Sequence, residues 1–550
     1  MINKNIKLAL LGVLLFGLSI FSLNLSETIV TNENVHDNNI TNHLTSAGFW
    51  NLTGTPISIY DNDPSKNWSY TASHYDWCSG SGTWTDPYVI ENVTIDGQGF
   101  GSCIEIWYSD AYFIIRNCSL YNSGSISDNA GILLYDVNNG KIINNNCSDN
   151  NNGIETNYSN NNTLSGNTVN NNICNGIRLG FGNNNTLFGN LMNFCGINVW
   201  GSLVESASQS IDITNLVNNK PVYYYVNEIG LGSTNFTNAG QIIMVNCNNS
   251  IISGLNLSNG TIGIDLKYSI NNTISGNTAN NNYYGIGLIH CDNNTLSGNN
   301  ASNNRYIGIC ESFSNDTIFT GNIACNNSNF GIATDRSINS TILKNIANNN
   351  SYGIVLVYTN NSISFKNNIQ RNSIYGAYIH GGVLSTQNLF YENFFLNNNI
   401  HAYDDGINNY WNNSIIGNYW DNYTGVDADQ DGIGDIPHYF HGGTDFLPIV
   451  DDQAPIITIL SPIADVVFEI DAPDFVIEVI ELYLDTMRYT IDGGITNITF
   501  TENGTISQLA WDALPEGNVT IRFYANDSAG NIGFQEVTVI KEISQPGIPG

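Results

Sequence analysis

The chain has 550 residues, 41% of them hydrophobic, which is enough for two or three domains and excludes a simply disordered polymer. Asp and Glu total 48 against 16 Lys and Arg, and the net charge of -32 excludes a phosphate backbone as partner, so no nucleic-acid binding is expected. Polarity is carried instead by asparagine, about one residue in six, a bias that points to corners and turns.

Residues 1–23 read as an export signal or a retained N-terminal anchor: Lys4 and Lys7 precede an apolar run from Leu8 to about Leu23. This segment is the chain's expected contact with a membrane, and it predicts an extracellular or cell-surface location. Residues 24–55 are polar and read as a flexible lead-in. Sequons such as Asn51-Leu52-Thr53, Asn92-Val93-Thr94, Asn422-Tyr423-Thr424 and Asn518-Val519-Thr520 are abundant and compatible with a glycoprotein, although many others are by-products of a repeated Asn-Asn-Thr. Ten cysteines lie between Cys78 and Cys325 with no CxxC and no zinc spacing. Export would permit a disulfide among Cys78, Cys103 and Cys118, and buried free thiols are the alternative.

Residues 56–87 form an N-terminal cap in this reading, because the stretch from Trp68 to Trp84 is rich in aromatic residues that can cover the end of a stack. Residues 88–425 then repeat. Gly-Ile pairs stand at Gly131, Gly153, Gly176, Gly263, Gly285, Gly308, Gly331 and Gly353, with Gly376-Ala377 continuing them, at consecutive steps of 22 or 23 residues. A second series runs in phase at Asn167, Asn190, Asn277, Asn299, Asn322, Asn345 and Asn367, mostly closing a Thr-(Ile/Leu)-x-Gly-Asn phrase. A repeat this short cannot bury its own apolar face, so it must stack on its neighbours as the coils of a parallel β-helix. Roughly fifteen rungs at ~4.8 Å give a solenoid of about 70 Å. Asparagines serve as corner residues, tolerating left-handed backbone and bonding from rung to rung.

These Gly-Ile-x-Leu/Asn-Asn-Thr-Ile-Ser-Gly-Asn repeats, the insert Asn219-Lys220-Pro221-Val222-Tyr223-Tyr224-Tyr225, and Gly417-Asn418-Tyr419-Trp420-Asp421-Asn422-Tyr423 together resemble the NosD-like right-handed β-helix family over about residues 85–450. The resemblance implies the right hand of the helix, the pectin-lyase-like architecture, and a domain type associated with carbohydrate-binding proteins and sugar hydrolases. It implies nothing specific about activity, because one fold hosts many functions.

Residues 426–453 are an acidic loop and linker. Asp427, Asp429, Asp431 and Asp435 occupy loop positions 1, 3, 5 and 9, Gly432 allows the sharp turn, and Ile433 would offer its carbonyl. Alternating carboxylates of this kind fit a structural Ca²⁺ site; His438 at position 12 departs from an EF-hand, and a solvated acidic turn is the alternative. Residues 454–541 change texture, with strands expected at Ile456–Ile459, Phe475–Val479, Met487–Ile491, Ile495–Phe500, Val519–Ala525 and Gln535–Ile540. Their spacing suggests an immunoglobulin-like β-sandwich similar to modules of prokaryotic surface proteins, so the fold class is all-β throughout. Residues 542–550 read as a linker, of the kind that can precede a membrane anchor.

Three functions compete. In the first, a non-catalytic surface rod binds a polysaccharide or glycoprotein, with Tyr158, Phe181, Tyr268, Phe313 and Tyr358, each five residues beyond a repeat glycine, as a ligand track shared with His290 and Arg336; packing or corner filling is the alternative for this column. In the second, a lyase or hydrolase would use rung acids among Glu155 with Arg178, Asp265, Asp335 with Arg336, and Glu311; they are scattered, a cross-strand ion pair explains Glu155 and Arg178, and no catalytic residue is assigned. The third is copper handling, implied by the NosD resemblance. Copper sites want clustered Met, Cys and His, and four Met and eight His without a metal-spaced group argue against it.

Overall fold

The computed structural model describes residues 50–542, apart from 127, 451–453, 482–483 and 528–529. The expected export signal, most of the lead-in and the closing linker lie outside these residues. The described chain is almost entirely β, a solenoid of about 14 turns with few helices, and it divides into two compact units.

The first unit holds residues up to Asn418 together with Tyr439–Asp445. Its first rungs stack the strands Ile57–Tyr60, Ile104–Ser109, Ala130–Val137, Asn152–Asn157, Asn175–Gly180 and Ile197–Trp200 into one parallel sheet. Ile154 pairs with Ile177 and Thr156 with Leu179, so the inward positions of successive coils stand directly above one another. Helix Trp68–His74, capped by the Asn67 side chain on the Tyr70 N–H, covers the start. Its Trp68 ring is buried and stacks on Tyr88 at 5.1 Å.

The solenoid restarts in mid-course. After Trp200 the chain makes helix Leu203–Ala207 and then an antiparallel hairpin in which Leu216 pairs with Pro221. Strand Lys220–Val226 opens a second parallel series that runs through Gln241–Val245, Ile262–Lys267, Tyr284–Ile289, Ile307–Ser312, Phe330–Asp335, Tyr352–Val357 and Tyr375–His380 to Ile400–Asp404. This excursion fills the gap of about three steps between Gly196-Ile197 and Gly263 in the glycine series.

The repeat glycines and asparagines have separate physical tasks. A Cβ on Gly285 would lie 2.4 Å from the Gly308 carbonyl, and one on Gly353 2.5 Å from that of Gly376, so the strand enters where neighbouring coils leave no room for a side chain. The asparagines closing the Gly-Asn phrase face the lumen, buried, and bond from coil to coil in the series Asn277, Asn299, Asn322, Asn345, Asn367, Asn393 and Asn418. Exposed corner asparagines such as Asn161, Asn184, Asn271 and Asn293 instead take left-handed backbone, with φ of 56, 56, 58 and 56°. All ten cysteines are free thiols. Burial pushes the thiols of Cys78, Cys103 and Cys118 up to about 12, which keeps them unreactive.

The second unit comprises Tyr419–His438 and the described residues from Phe446 onward. Strands Ile456–Ser461, Asp474–Ile480 and Gly504–Thr505 form one sheet. A second sheet orders Val467–Phe468, Ile532–Lys541, Gly517–Asp527, Leu484–Thr490 and Ile498–Phe500, antiparallel except at the Val467–Phe468 edge. Phe475, Tyr489, Trp511 and Phe523 share its buried core.

Candidate functional site

Each residue of the five-past-glycine column sits at a bend with positive φ: 52° at Tyr158, Phe181, Phe313 and Tyr358, and 51° at Tyr268. The structure groups them in two runs. Tyr158 stacks on Phe181 at 5.1 Å with planes 14° apart. Tyr268 stacks on His290 at 4.8 Å and His290 on Phe313 at 4.9 Å, and the Arg336 guanidinium lies 5.1 Å from the ring centres of both Phe313 and Tyr358. Ring faces are thus taken up by the next coil and the edges are left toward solvent, so each bend's left-handed strain is offset by stacking.

Beyond the first of these runs lies a shallow groove of about 650 Å³ lined by Asp110, Asn138, Asn139, Asn160, Asn161, Asn183, Asn184 and Val204. Its floor is an amide ladder. Asn160 donates its backbone N–H and its side-chain amide, both at 3.0 Å, to Asn138 Oδ1, and Asn183 repeats the pattern on Asn160 Oδ1 at 2.8 and 3.2 Å. Asn161 and Asn184 belong to the same turns and are exposed, each three residues beyond its aromatic bend at Tyr158 or Phe181. None of the lining side chains is cationic.

The rung acids do not converge. Glu155 stands in register with Arg178 and pairs with it, and its carboxylate also accepts the amides of Asn157 at 2.7 Å and Asn152 at 2.8 Å. It is fully buried, and desolvation raises its carboxyl above the usual range despite Arg178. Asp265 is locked to Lys267 at 2.5 Å, with both side chains 2% exposed. Asp335 meets the Arg336 guanidinium at 3.0 Å through Oδ2, while Oδ1 has no partner, and burial pushes the carboxyl up to about 7. Glu311 points into the lumen, wholly buried.

The acidic loop belongs to the second unit. Asp427, Asp429 and Asp431 bring one carboxylate oxygen each within 4.8 Å of the others. Among the described residues this is the one group of three His, Cys, Asp or Glu side chains so placed. Asp427 accepts the N–H groups of Asp431 at 3.2 Å and Gly432 at 2.8 Å, and Gly432 makes the turn with φ +86°. Against a desolvation that acts upward, these and the Gln430 N–H hold the Asp427 carboxyl below its usual range. The charge of Asp431 holds that of Asp429 above it. Asp435 turns its Oδ2 to the Ala428 N–H at 2.9 Å and stands outside the trio, and Ile433 pairs with Ile449 across an antiparallel bridge.

Sequence reasoning missed an aromatic belt on the outer face of the second sheet, in which Phe330 meets Tyr352 at 5.2 Å, Tyr352 meets Tyr378 at 5.4 Å, and Tyr378 meets Tyr403 at 5.5 Å. It covers Ala333 and Val355, both fully buried. The available signal was the residue before each repeat glycine: Tyr284, Phe330, Tyr352 and Tyr375.

Residues 227–425 match the family model described as periplasmic copper-binding protein (NosD), and residues 67–208 match the one described as right handed beta helix region. No curated protein matches the chain. Among solved structures, the periplasmic alginate epimerase AlgG is 14% identical, with 64% of this chain and 82% of that chain covered and a TM-score of 0.28. The A-module of the Azotobacter vinelandii mannuronan C-5 epimerase AlgE4 is 11% identical, with coverage of 58% and 90% and a TM-score of 0.26. The catalytic domain of a GH87 alpha-1,3-glucanase in complex with nigerose is 14% identical, with coverage of 62% and 60% and a TM-score of 0.20. No helix among the described residues is long and apolar enough to cross a membrane.

Proposed function

Because the chain belongs to the NosD-like right-handed β-helix proteins, we propose that it is an exported, non-catalytic surface rod that binds neutral glycans along the asparagine groove of its first coils. The observation that carries this reading is the groove itself: exposed amides of Asn161 and Asn184 over an amide ladder, on the same coils as the stacked rings of Tyr158 and Phe181 three residues earlier in the chain. Amides both donate and accept toward sugar hydroxyls, and aromatic edges supply apolar contact. With no cationic lining residue and a net charge of -32, polyuronates are repelled, which leaves neutral polysaccharides or glycoproteins as partners. Glu155 and Asp265, buried and spent on ion pairs, support binding over bond cleavage. The periplasmic description of the family supports export.

The test offers the purified chain a panel of neutral and acidic polysaccharides and measures both retention and release of new sugar ends. Retention on a neutral member, weakened about tenfold when Asn161 and Asn184 are both replaced by Gly, is the expected result. Release of ends that disappears on replacing a rung acid would make the protein a lyase or hydrolase instead.

In the same reading the trio Asp427, Asp429 and Asp431 holds a structural Ca²⁺, and the two sheets of the C-terminal unit form an immunoglobulin-like sandwich that presents the rod in adhesion or envelope structure. The donor set fits a hard cation, since all three groups are carboxylates on one tight loop. Copper handling is a second reading, favoured by the family description alone. Stoichiometric, tight copper uptake in a titration would establish it.

A further inference from the structure

The corner amides of the asparagine groove repeat at the pitch of the coils. Asn139, Asn161 and Asn184 are equivalent left-handed corners of three successive coils, with φ of 64, 56 and 56°. Asn138 bridges Asn160 in parallel, and the Asn161 N–H donates to the Asn183 carbonyl at 3.0 Å, so the corners are held in register. Like backbone in register makes each corner a translated copy of the last, and the translation is the strand spacing of ~4.8 Å. Among the described residues the side-chain amides of Asn161 and Asn184 have no hydrogen-bond partner. Asn139 donates its amide N–H to the Asp110 carbonyl at 3.0 Å and keeps its Oδ1 as an acceptor.

The array is finite. At one end the Asn138 amide donates to Asp110 Oδ1 at 2.5 Å. At the other, Asn183 Oδ1 meets the Ser208 hydroxyl at 3.4 Å instead of a further asparagine, and helix Leu203–Ala207 sets Val204 in the wall of the groove. Three Asn-Asn pairs therefore follow one another here, at 138–139, 160–161 and 183–184. In the second series no two successive coils carry such a pair: Ile270, Asp292 and Ile338 precede the corners Asn271, Asn293 and Asn339, and Thr386-Gln387 follows Asn360-Asn361.

Resting on the glycan reading above, we propose that the groove takes a neutral β-1,4-linked chain laid along the solenoid, one sugar to a coil, over the three coils that carry the Asn-Asn pairs. A line of like amides selects a ligand that repeats at the same pitch. In β-1,4-linked glucose, mannose or xylose both bridging oxygens leave the ring equatorially from opposite sides, so the chain is extended and advances by close to one strand spacing per sugar. Chains of α-1,4-linked glucose wind and those of β-1,3-linked glucose curve, which carries their sugars off the line of amides. Successive sugars of the extended chain are turned over and offer a donor at one coil and an acceptor at the next, and an amide, which donates and accepts, serves both.

The experiment is a set of saturation-transfer NMR titrations of the full chain with neutral oligosaccharides of two to six sugars: β-1,4 series of glucose, mannose and xylose, and α-1,4 and β-1,3 series of glucose. Affinity in at least one β-1,4 series is expected to rise about tenfold per added sugar up to three sugars and less than about twofold beyond, and to exceed that of the other linkages about tenfold at equal length. Asn184→Gly, which keeps the left-handed corner and removes its amide, should move the levelling from three sugars to two. Binding that ignores linkage or keeps growing past three sugars overturns the register and leaves the glycan reading in place, and so does an Asn184→Gly protein that still levels at three. No binding by any series overturns the register, while retention on the polysaccharide panel above still decides the glycan reading on its own.

Discussion

Asn345 Oδ1 accepts both the backbone N–H and the side-chain amide of Asn322, each at 2.9 Å, while the Asn345 side-chain amide donates on to the Phe319 carbonyl and to Asn367 Oδ1, each at 3.0 Å. One buried side chain thereby ties three coils together and satisfies backbone groups that no water can reach.

Replacing Asn345 by Leu keeps the volume and strands the Asn322 N–H and the Phe319 carbonyl in the lumen. The expected loss is about 3–5 kcal/mol, the cost of several orphaned buried groups. Asn293→Gly, at an exposed left-handed corner with φ +56°, should change stability by no more than about 0.5 kcal/mol. Urea midpoints of the two variants check the contrast, and equal midpoints would show that the ladder is decorative.

How much of this was legible follows from what a repeat can and cannot announce. The phase of the Gly-Ile pairs and of the Gly-Asn series was readable because each coil meets its neighbours at equivalent positions, so the same steric and hydrogen-bonding demand recurs in sequence. Alternation does not describe the outer face. The repeat glycine and the isoleucine after it both turn inward at the bend, so Tyr284, Phe330 and Tyr352 leave the lumen and pack in a separate cluster, whereas strict two-residue alternation would have put them in the lumen. The restart at Val217 and Lys220 showed as a gap in the repeat and as the insert Asn219–Tyr225, but not as a hairpin, since a hairpin two residues wide leaves no periodic trace. In the acidic loop, spacing identified the trio that converges, while Asp435 is drawn off by the Ala428 N–H, a backbone contact that spacing does not encode.

Asp335 gives the solenoid a pH dependence whose sign is set by burial. Its carboxyl is pushed from 3.8 up to about 7 in the folded chain, mainly by desolvation, with Arg336 opposing. Between these values the folded state holds more protons than the unfolded one, so this contribution is fully present below about pH 4 and is lost as pH rises to 7. The whole span amounts to about 4 kcal/mol for a group that is 2% exposed. Asp335→Asn cannot titrate and should flatten this part of the stability curve between pH 4 and 7, measured by urea denaturation across that range. A mutant curve as steep as the wild type would assign the slope to other groups.

The Asp427 loop offers the last test. Three carboxylates on one tight turn repel one another, which is why the charge of Asp431 raises the Asp429 carboxyl. A bound Ca²⁺ would turn that repulsion into a shared attraction and stabilise the unit that contains the loop. Millimolar Ca²⁺ is therefore expected to raise the melting temperature of that unit by a few degrees, with a smaller effect at pH 4, where protons compete for the same oxygens. Replacing Asp429 and Asp431 together by Ala should abolish the rise, whereas Asp435→Asn, which leaves the trio intact, should retain most of it. Calorimetric scans with and without Ca²⁺ distinguish these outcomes. An unchanged rise in the double variant would place any Ca²⁺ elsewhere and leave the loop as a solvated acidic turn.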